Sequence, residues 1–155
     1  TVRIENMCWD ESIYADFSRH PVELQMQWAV QYDKEGFIGK DAVIERSLAP
    51  AKRKIIGISP LTDSAVIACN DKVLVDDRQV GVIIKSVWSP ALGVPIALAL
   101  LDHDYAWSDI SGFTIETATA KIPAKTQNLP FLYNLSLLVS PTEHSYIDAM
   151  KARHA

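Results

Sequence analysis

Two residues near the start of the chain have side chains suited to holding a small ligand. Arg3 lies between apolar neighbours, and a guanidinium group in such a position can bind a ligand carboxylate through two parallel hydrogen bonds. Trp9 lies in or next to a predicted loop, where its flat ring can stack on a planar ligand. The simpler alternative for Arg3 is an ion pair with Glu5 or Glu23.

Tryptophan is frequent in this chain, with four copies. Trp88 and Trp107, like Trp9, lie in or beside predicted loops. Their rings can stack on a ligand or can pack the loops onto the body of the protein, and the sequence leaves both possibilities open. Trp28 lies on the apolar side of an alternating run, which predicts a position in the core.

Catalytic and metal-binding motifs are missing. The sequence contains no GxGxxG, GxxxxGK[ST], HExxH or GxSxG motif. Its four histidines are far apart and lack the spacing of metal ligands. The string Asp102-His103-Asp104 follows a predicted strand, where reactive groups often occur, but a solvated polar turn is the simpler interpretation. We therefore predict no catalytic residue and no metal ligand in this chain.

Bulk composition narrows the class of protein. The chain has 155 residues and a net charge of -4, so it has no positive field that would attract nucleic acid. No apolar run approaches the roughly 18 residues of a membrane span. The two cysteines, Cys8 and Cys69, are distant in sequence and suit a reducing, cytoplasmic location. We expect neither a nucleic-acid nor a membrane partner.

The first third of the chain is predicted to be a mixed α/β segment. Residues 2–5 alternate between apolar and charged side chains and predict a short strand. Apolar side chains also occupy every second position between Val22 and Val30, which predicts a strand over 21–32. Residues 40–48 predict a helix that ends before Pro50.

The middle of the chain predicts a mainly β domain. Short apolar runs there are separated by turn signals. The predicted strands cover residues 55–58, 65–68, 72–75, 80–87, 95–101 and 113–122. Many short strands of this kind favour a closed or nearly closed antiparallel barrel. After the barrel, Ser140, Pro141 and Glu143 have the spacing of a helix N-terminus and predict a C-terminal helix.

Six strings occur in a fixed order over residues 1–131. They are Val2-Arg3-Ile4-Glu5; His20-Pro21-Val22-Glu23 with Trp28; the run from Asp33 to Ala42; Lys52-Arg53-Lys54-Ile55-Ile56-Gly57; Val80-Gly81 with Ser89-Pro90-Ala91-Leu92-Gly93 and Ile96-Ala97-Leu98-Ala99; and Lys121-Ile122-Pro123-Ala124 with Pro130-Phe131. In order and spacing, this set resembles the C-terminal portion of the glycine-cleavage T-protein (aminomethyltransferase) family. The segment Ile84-Lys85-Ser86 and the extension from Leu132 to Ala155 depart from the family pattern and indicate a divergent member.

The resemblance implies a six-stranded Greek-key-like barrel over residues 52–131. Residues 1–51 would then be the end of a folate-binding region and its linker, and residues 132–155 an extension. Such proteins use tetrahydrofolate to accept a one-carbon unit from a small amine or a methylated donor. Arg3 matches the family's arginine that faces the folate, and Trp9 falls near the tyrosine of the family's LYG string, so the resemblance implies Arg3 and Trp9 as folate-binding residues.

The family's catalytic aspartate belongs to an earlier region, the N-terminal folate-binding region of the same protein. We therefore expect this chain alone to be inactive and to supply only part of the pocket wall. The alternative is a non-catalytic barrel that binds folate or another protein, because a fold does not determine a function.

Overall fold

The main body of the protein is a closed six-stranded antiparallel barrel, which confirms the predicted fold class. The computed structural model describes residues 1–8, 10, 20–49, 51–63 and 65–132. The strands are β1 (Arg53–Pro60), β2 (Lys72–Val75), β3 (Arg78–Ser89), β4 (Val94–Asp102), β5 (Ser111–Glu116) and β6 (Lys121–Gln127). The helix predicted after Ser140 lies outside the described residues.

The strand order around the barrel is β1-β4-β3-β2-β5-β6, and β6 pairs with β1 to close the ring. Strands β2, β3 and β4 follow one another, and β4 returns beside β1, which is the Greek-key arrangement. Closure pairs every strand on both sides. The apolar strands therefore present no open edge for pairing with another chain.

Two of the strands predicted for the barrel are wrong. Residues 65–68 form no strand; instead the Ile67 carbonyl accepts a hydrogen bond from the Ser86 hydroxyl, which ties this segment to β3. The predicted strand over 113–122 is split into β5 and β6 by a four-residue turn. The Thr117 hydroxyl accepts hydrogen bonds from the amides of Thr119 and Ala120, so a local side-chain interaction ends the strand.

The barrel interior is filled by side chains from all six strands. Alternate residues of each strand point inward, as the pleat requires. The cluster includes Ile56, Ile58, Val73, Val80, Ile83, Ala97, Ala99, Leu101, Phe113, Ile115, Ile122 and Ala124. Small alanines lie opposite large branched residues, so the interior is packed without a pore.

A second apolar cluster lies on the outer face of β1, β3 and β4. Its strand residues are Ile55, Ile84, Ile96, Leu98 and Leu100. Consequently β4 is buried on both faces from Pro95 to Leu101, which explains its unbroken apolar sequence. The outer face is covered by residues that precede the barrel in sequence, namely Ile4, Met7, Leu24 and Met26, and by residues that follow it, namely Leu129 and Phe131.

Two glycines of the recognised strings are required by close packing on the barrel. A Cβ atom on Gly57 would lie 2.8 Å from the Phe131 ring and 2.9 Å from the Gln127 carbonyl oxygen. A Cβ atom on Gly81 would lie 2.5 Å from Leu101 Cδ2 and would also contact the Leu100 carbonyl oxygen. The strings Ile56-Gly57 and Pro130-Phe131 are therefore two halves of one contact.

The described residues of the first third of the chain form two α-helices, α1 (Val2–Glu5) and α2 (Lys40–Leu48). The prediction of α2 is confirmed. The strand predicted over 2–5 is wrong, because this segment is one helical turn whose Ile4 packs on the outer face of the barrel. Ile4 and Glu5 are buried whereas Val2 and Arg3 are exposed, so burial here does not follow the alternation of apolar and charged residues.

The strand predicted over 21–32 is also wrong. Backbone hydrogen bonds from Leu24 to His20 and from Met26 to Pro21 fold this segment into turns, and a 3₁₀ helix follows at Gln27–Ala29. Trp28 is accordingly not a core residue, since 81% of it is exposed. Alternation of residue types does not place side chains on two faces once the backbone is no longer extended.

We predict that Gly81→Ala lowers the free energy of unfolding by about 1–3 kcal/mol, the usual cost of inserting a methyl group into a packed region. Gly93→Ala is the control, because open space surrounds Gly93 and only its positive φ opposes a side chain. Urea denaturation compares the two variants. If Gly81→Ala is no more destabilising than Gly93→Ala, close approach of β3 to β4 does not require this glycine.

We predict that Ser59→Ala raises the free energy of unfolding by about 1 kcal/mol. Among the described residues, Ser59 Oγ is a buried side-chain oxygen without a hydrogen-bond partner. Removing the hydroxyl removes a desolvated polar atom and leaves a space no larger than one oxygen. The measurement is urea denaturation, and a clear loss of stability would show that the hydroxyl is satisfied in solution.

Candidate functional site

The candidate site lies where α1 and the segment from Leu24 to Trp28 meet on the outside of the barrel. A helix of four residues has no stability of its own, so its contacts with the barrel determine its position. Ile4 inserts into the outer apolar cluster beside Leu24. The Leu132 amide donates a backbone hydrogen bond to the Glu5 carbonyl oxygen at 3.3 Å.

Glu5 makes the main polar contact between α1 and the barrel. Its carboxylate accepts a hydrogen bond from the Ser89 hydroxyl, at the end of β3. Both residues are buried, with 4% of Glu5 and 0% of Ser89 exposed. A buried carboxylate needs such a donor, because an unsatisfied charge away from water is costly. The ion pair between Arg3 and Glu5, one of the alternatives considered from the sequence, is not formed, since Arg3 pairs with Asp10.

Arg3 lies on the opposite side of α1 from Glu5. Its guanidinium pairs with the carboxylate of Asp10, and 69% of its side chain is exposed. Glu23, the other partner considered from the sequence, lies instead 4.0 Å from the guanidinium of Arg53. The structure thus places Arg3 at the surface, with its charge accessible to a ligand. Trp9, the second predicted site residue, lies outside the described residues.

An apolar cleft of ≈ 330 Å³ opens directly after α1. It is lined by Asn6, Met7, Cys8, Leu24, Gln25, Met26 and Trp28. Two hydrogen bonds fix its walls: the Cys8 amide donates to the Arg3 carbonyl at 2.8 Å, and the Gln25 side chain donates to the Ile55 carbonyl. The volume is at the lower end of the roughly 300–1,000 Å³ that small-molecule sites occupy.

Sequence reasoning missed Trp28 as a residue of this cleft. The exposed indole lies beside the flexible thioether side chains of Met7 and Met26, a combination that can accommodate a flat ring. The alternation of residue types after His20 predicted a strand, whereas backbone hydrogen bonds fold this segment into turns and bring Trp28 to the cleft. Trp88 and Trp107 do not line the cleft; Trp107 instead meets the His103 ring edge-on at a centroid distance of 6.4 Å.

A second, more polar cleft of ≈ 380 Å³ lies between α2 and the start of β1. Its walls include His20, Glu23, Arg46 and Arg53. The His20 Nδ1 atom accepts a hydrogen bond from the Val22 amide at 3.0 Å, which leaves Nε2 as the donor nitrogen of a neutral ring. Glu23 and Leu24 are adjacent, so the two clefts are separated by a single stretch of backbone.

The described residues of the two clefts differ in chemistry, since the first has no ionisable side chain other than the Cys8 thiol and the second combines His20 and Glu23 with two arginines. Among the described residues, no three His, Cys, Asp or Glu side chains gather closely enough to hold a metal ion. In the same part of the chain, no helix combines the length and apolar character needed to cross a bilayer. The geometry is that of one wall of a binding site: an exposed cation, an apolar cleft and an aromatic ring.

Comparison with known proteins identifies relatives of this chain. The family model "Glycine cleavage T-protein C-terminal barrel domain" matches residues 53–132, which include all six strands. An aminomethyltransferase of Listeria innocua is 35% identical over 112 residues, which are 72% of this chain and 30% of that protein. The aminomethyltransferase of Pseudothermotoga lettingae is 30% identical over 116 residues, 75% of this chain and 31% of that protein.

A solved structure supports the fold independently. The chain superimposes on the glycine cleavage system aminomethyltransferase T from Bartonella henselae with a TM-score of 0.65 and 21% sequence identity, covering 72% of this chain and 31% of that one. The alignments to the curated relatives are longer than the matched barrel, so the similarity extends beyond its strands. The chain spans about a third of the length of these relatives.

Proposed function

Since the chain belongs to the glycine-cleavage T-protein family, we propose that it is the C-terminal part of a tetrahydrofolate-dependent aminomethyltransferase or methyltransferase. In this proposal the whole protein transfers a one-carbon unit from a small amine or methylated donor to tetrahydrofolate. The observation that carries the proposal is the apolar cleft beside α1, with Trp28 at its edge and the exposed Arg3 on the preceding turn.

Arg3 and Trp9 are the proposed folate-binding residues. Folate combines a flat ring system with an anionic glutamate end, so its recognition needs an apolar or aromatic surface and a cation. The cleft offers the first and the exposed guanidinium the second. Asp10 holds the guanidinium in the free protein, and a ligand carboxylate would exchange with that contact.

The proposed partner of this chain is the N-terminal folate-binding region of the same protein. Exposed apolar side chains of the present chain support the proposal. Among the described residues of 1–51, four large ones are exposed: Val2, Trp28, Ile38 and Leu48. An exposed apolar surface of this kind is typical of an interface. A cytoplasmic location, expected from the two distant cysteines, stays a prediction.

We predict that the protein with its upstream region binds 5-formyltetrahydrofolate and that Arg3→Ala weakens this binding about tenfold, the value of one charge-assisted hydrogen bond. Titration calorimetry measures the affinity. Lys125→Ala is the control, since it removes a cation of β6 that pairs with Asp109 and does not line the cleft. Absence of binding at millimolar folate would count against the proposed function.

We predict no transferase activity for the 155-residue chain alone. The reaction needs a carboxylate beside the reacting amine, and the described residues of the cleft include none. The assay follows consumption of tetrahydrofolate with amine and methylated donors, and the protein carrying the upstream region is the positive control. Turnover by the chain alone would overturn the assignment of catalysis to that region.

A second candidate function is a non-catalytic barrel module that binds folate or another protein. The exposed apolar side chains of Trp88 and Leu92, at the β3–β4 hairpin, favour it. They follow Ile84-Lys85-Ser86, where the chain departs from the family pattern. The sequence upstream of Thr1 distinguishes the two functions: a catalytic aspartate there favours the enzyme, and its loss favours the module.

A further inference from the structure

The orientation of α1 depends on a buried polar contact that the proposed chemistry does not use. Successive helical residues are about 100° apart, so Arg3 and Glu5 point in directions about 200° apart. Their exposures agree with this geometry, since the Glu5 side is buried against the barrel and the Arg3 side faces solvent. Whatever fixes the direction of Glu5 therefore also fixes the direction of Arg3.

Ser89 is held rigidly enough to give that direction. Its hydroxyl donates to the Glu5 carboxylate and accepts a hydrogen bond from the Leu92 amide at 3.2 Å. Its carbonyl oxygen accepts a hydrogen bond from the Gly93 amide at 2.8 Å. The residue is thus fixed by the β3–β4 turn on one side and contacts α1 on the other.

The other contacts between α1 and the barrel, as far as the described residues show them, are made by an apolar side chain and by the backbone. Ile4 makes apolar contacts, which are not directional. The Leu132 amide donates its hydrogen bond to the Glu5 carbonyl oxygen, so it holds the backbone at the end of α1 and no side chain. On the solvent side Arg3 contacts only the Asp10 carboxylate among the contacts described above. Among the contacts given for the described residues, the hydrogen bond between Glu5 and Ser89 is thus the one that ties a polar side chain of α1 to the barrel.

We propose that Glu5 and Ser89 are positioning residues that orient Arg3 for the folate carboxylate or ring. The proposal rests on the proposed function, and it adds two residues that do not touch the ligand. In physical terms, loss of the Ser89 hydroxyl leaves α1 attached to the barrel but free to rotate. The cost then appears in ligand binding, because Arg3 must be ordered at the moment the ligand binds.

A double-mutant cycle in the protein with its upstream region tests this mechanism. Titration calorimetry with 5-formyltetrahydrofolate compares the wild type, Ser89→Ala, Arg3→Ala and the double variant. We expect Ser89→Ala to weaken binding by about tenfold when Arg3 is present and by less than about twofold when Arg3 is alanine. Equal losses in both backgrounds would show that Ser89 acts through general stability and would overturn the proposal.

Nuclear magnetic resonance of the 155-residue chain tests the orientation without any ligand. We expect Ser89→Ala to lower the order parameter of Arg3 Nε and of the α1 amides while the β1 and β4 amides keep theirs. Ser59→Ala is the matched control, since it removes a buried serine hydroxyl that makes no hydrogen bond among the described residues. It should change neither the order parameters nor the affinity.

Variants of Glu5 keep the test valid if Ser89→Ala does not fold. Glu5→Gln retains an oxygen that can accept from the Ser89 hydroxyl, so it should keep most of the order of Arg3. Glu5→Leu has similar size without an acceptor and should lose that order. If Glu5→Leu leaves Arg3 as ordered as in the wild type, the contact does not orient α1.

The two experiments separate failure of this proposal from failure of the proposed function. If no folate binds, or if Arg3→Ala binds as the wild type does, the folate role of Arg3 is wrong, whereas the order parameters still test the orientation. If Arg3→Ala weakens binding and Ser89→Ala changes neither order nor affinity, the folate role stands and the positioning role is wrong.

Discussion

The outer face of β1, β3 and β4 is the constraint on which the rest of this structure depends. A six-stranded barrel of this length can fill its interior with one residue in two from each strand, and the opposite residues usually meet water. Here those residues are isoleucine and leucine, so they must be covered. The cover comes from Ile4 and Leu24 before the barrel and from Phe131 after it. The candidate site forms at the edge of this cover.

Because the cover also carries the site, packing and recognition use the same few residues. Ile4 and Glu5 attach α1 to the barrel through one apolar and one polar contact. The adjacent residues Arg3, Asn6 and Cys8 are exposed. A short helix can therefore present a cation and a cleft wall without any stability of its own.

The sequence predicted the barrel well because its strands are short, apolar and separated by turns, and α2 because it has clear helix ends. It predicted α1 and the segment after His20 wrongly, since alternation alone cannot distinguish a strand from a single helical turn or a series of turns. The division between β5 and β6 depends on the Thr117 hydroxyl, a local contact that residue types do not reveal. The recognised strings had a physical meaning that the sequence could not give: Gly57 and Phe131 form one contact, and Glu5 and Ser89 form another. The folate roles of Arg3 and Trp9 remain predictions.

The closeness of Phe131 to Gly57 has a consequence for how the molecule can be divided. A chain limited to the family match, residues 53–132, includes Phe131 but lacks α1 and Leu24. A barrel cut at those limits would keep its closed ring of hydrogen-bonded strands, but part of the apolar outer face of β3 and β4 would be exposed to solvent. The apolar packing of the barrel therefore extends beyond the family boundary, because Ile4 and Leu24 precede residue 53 and still pack on its outer face.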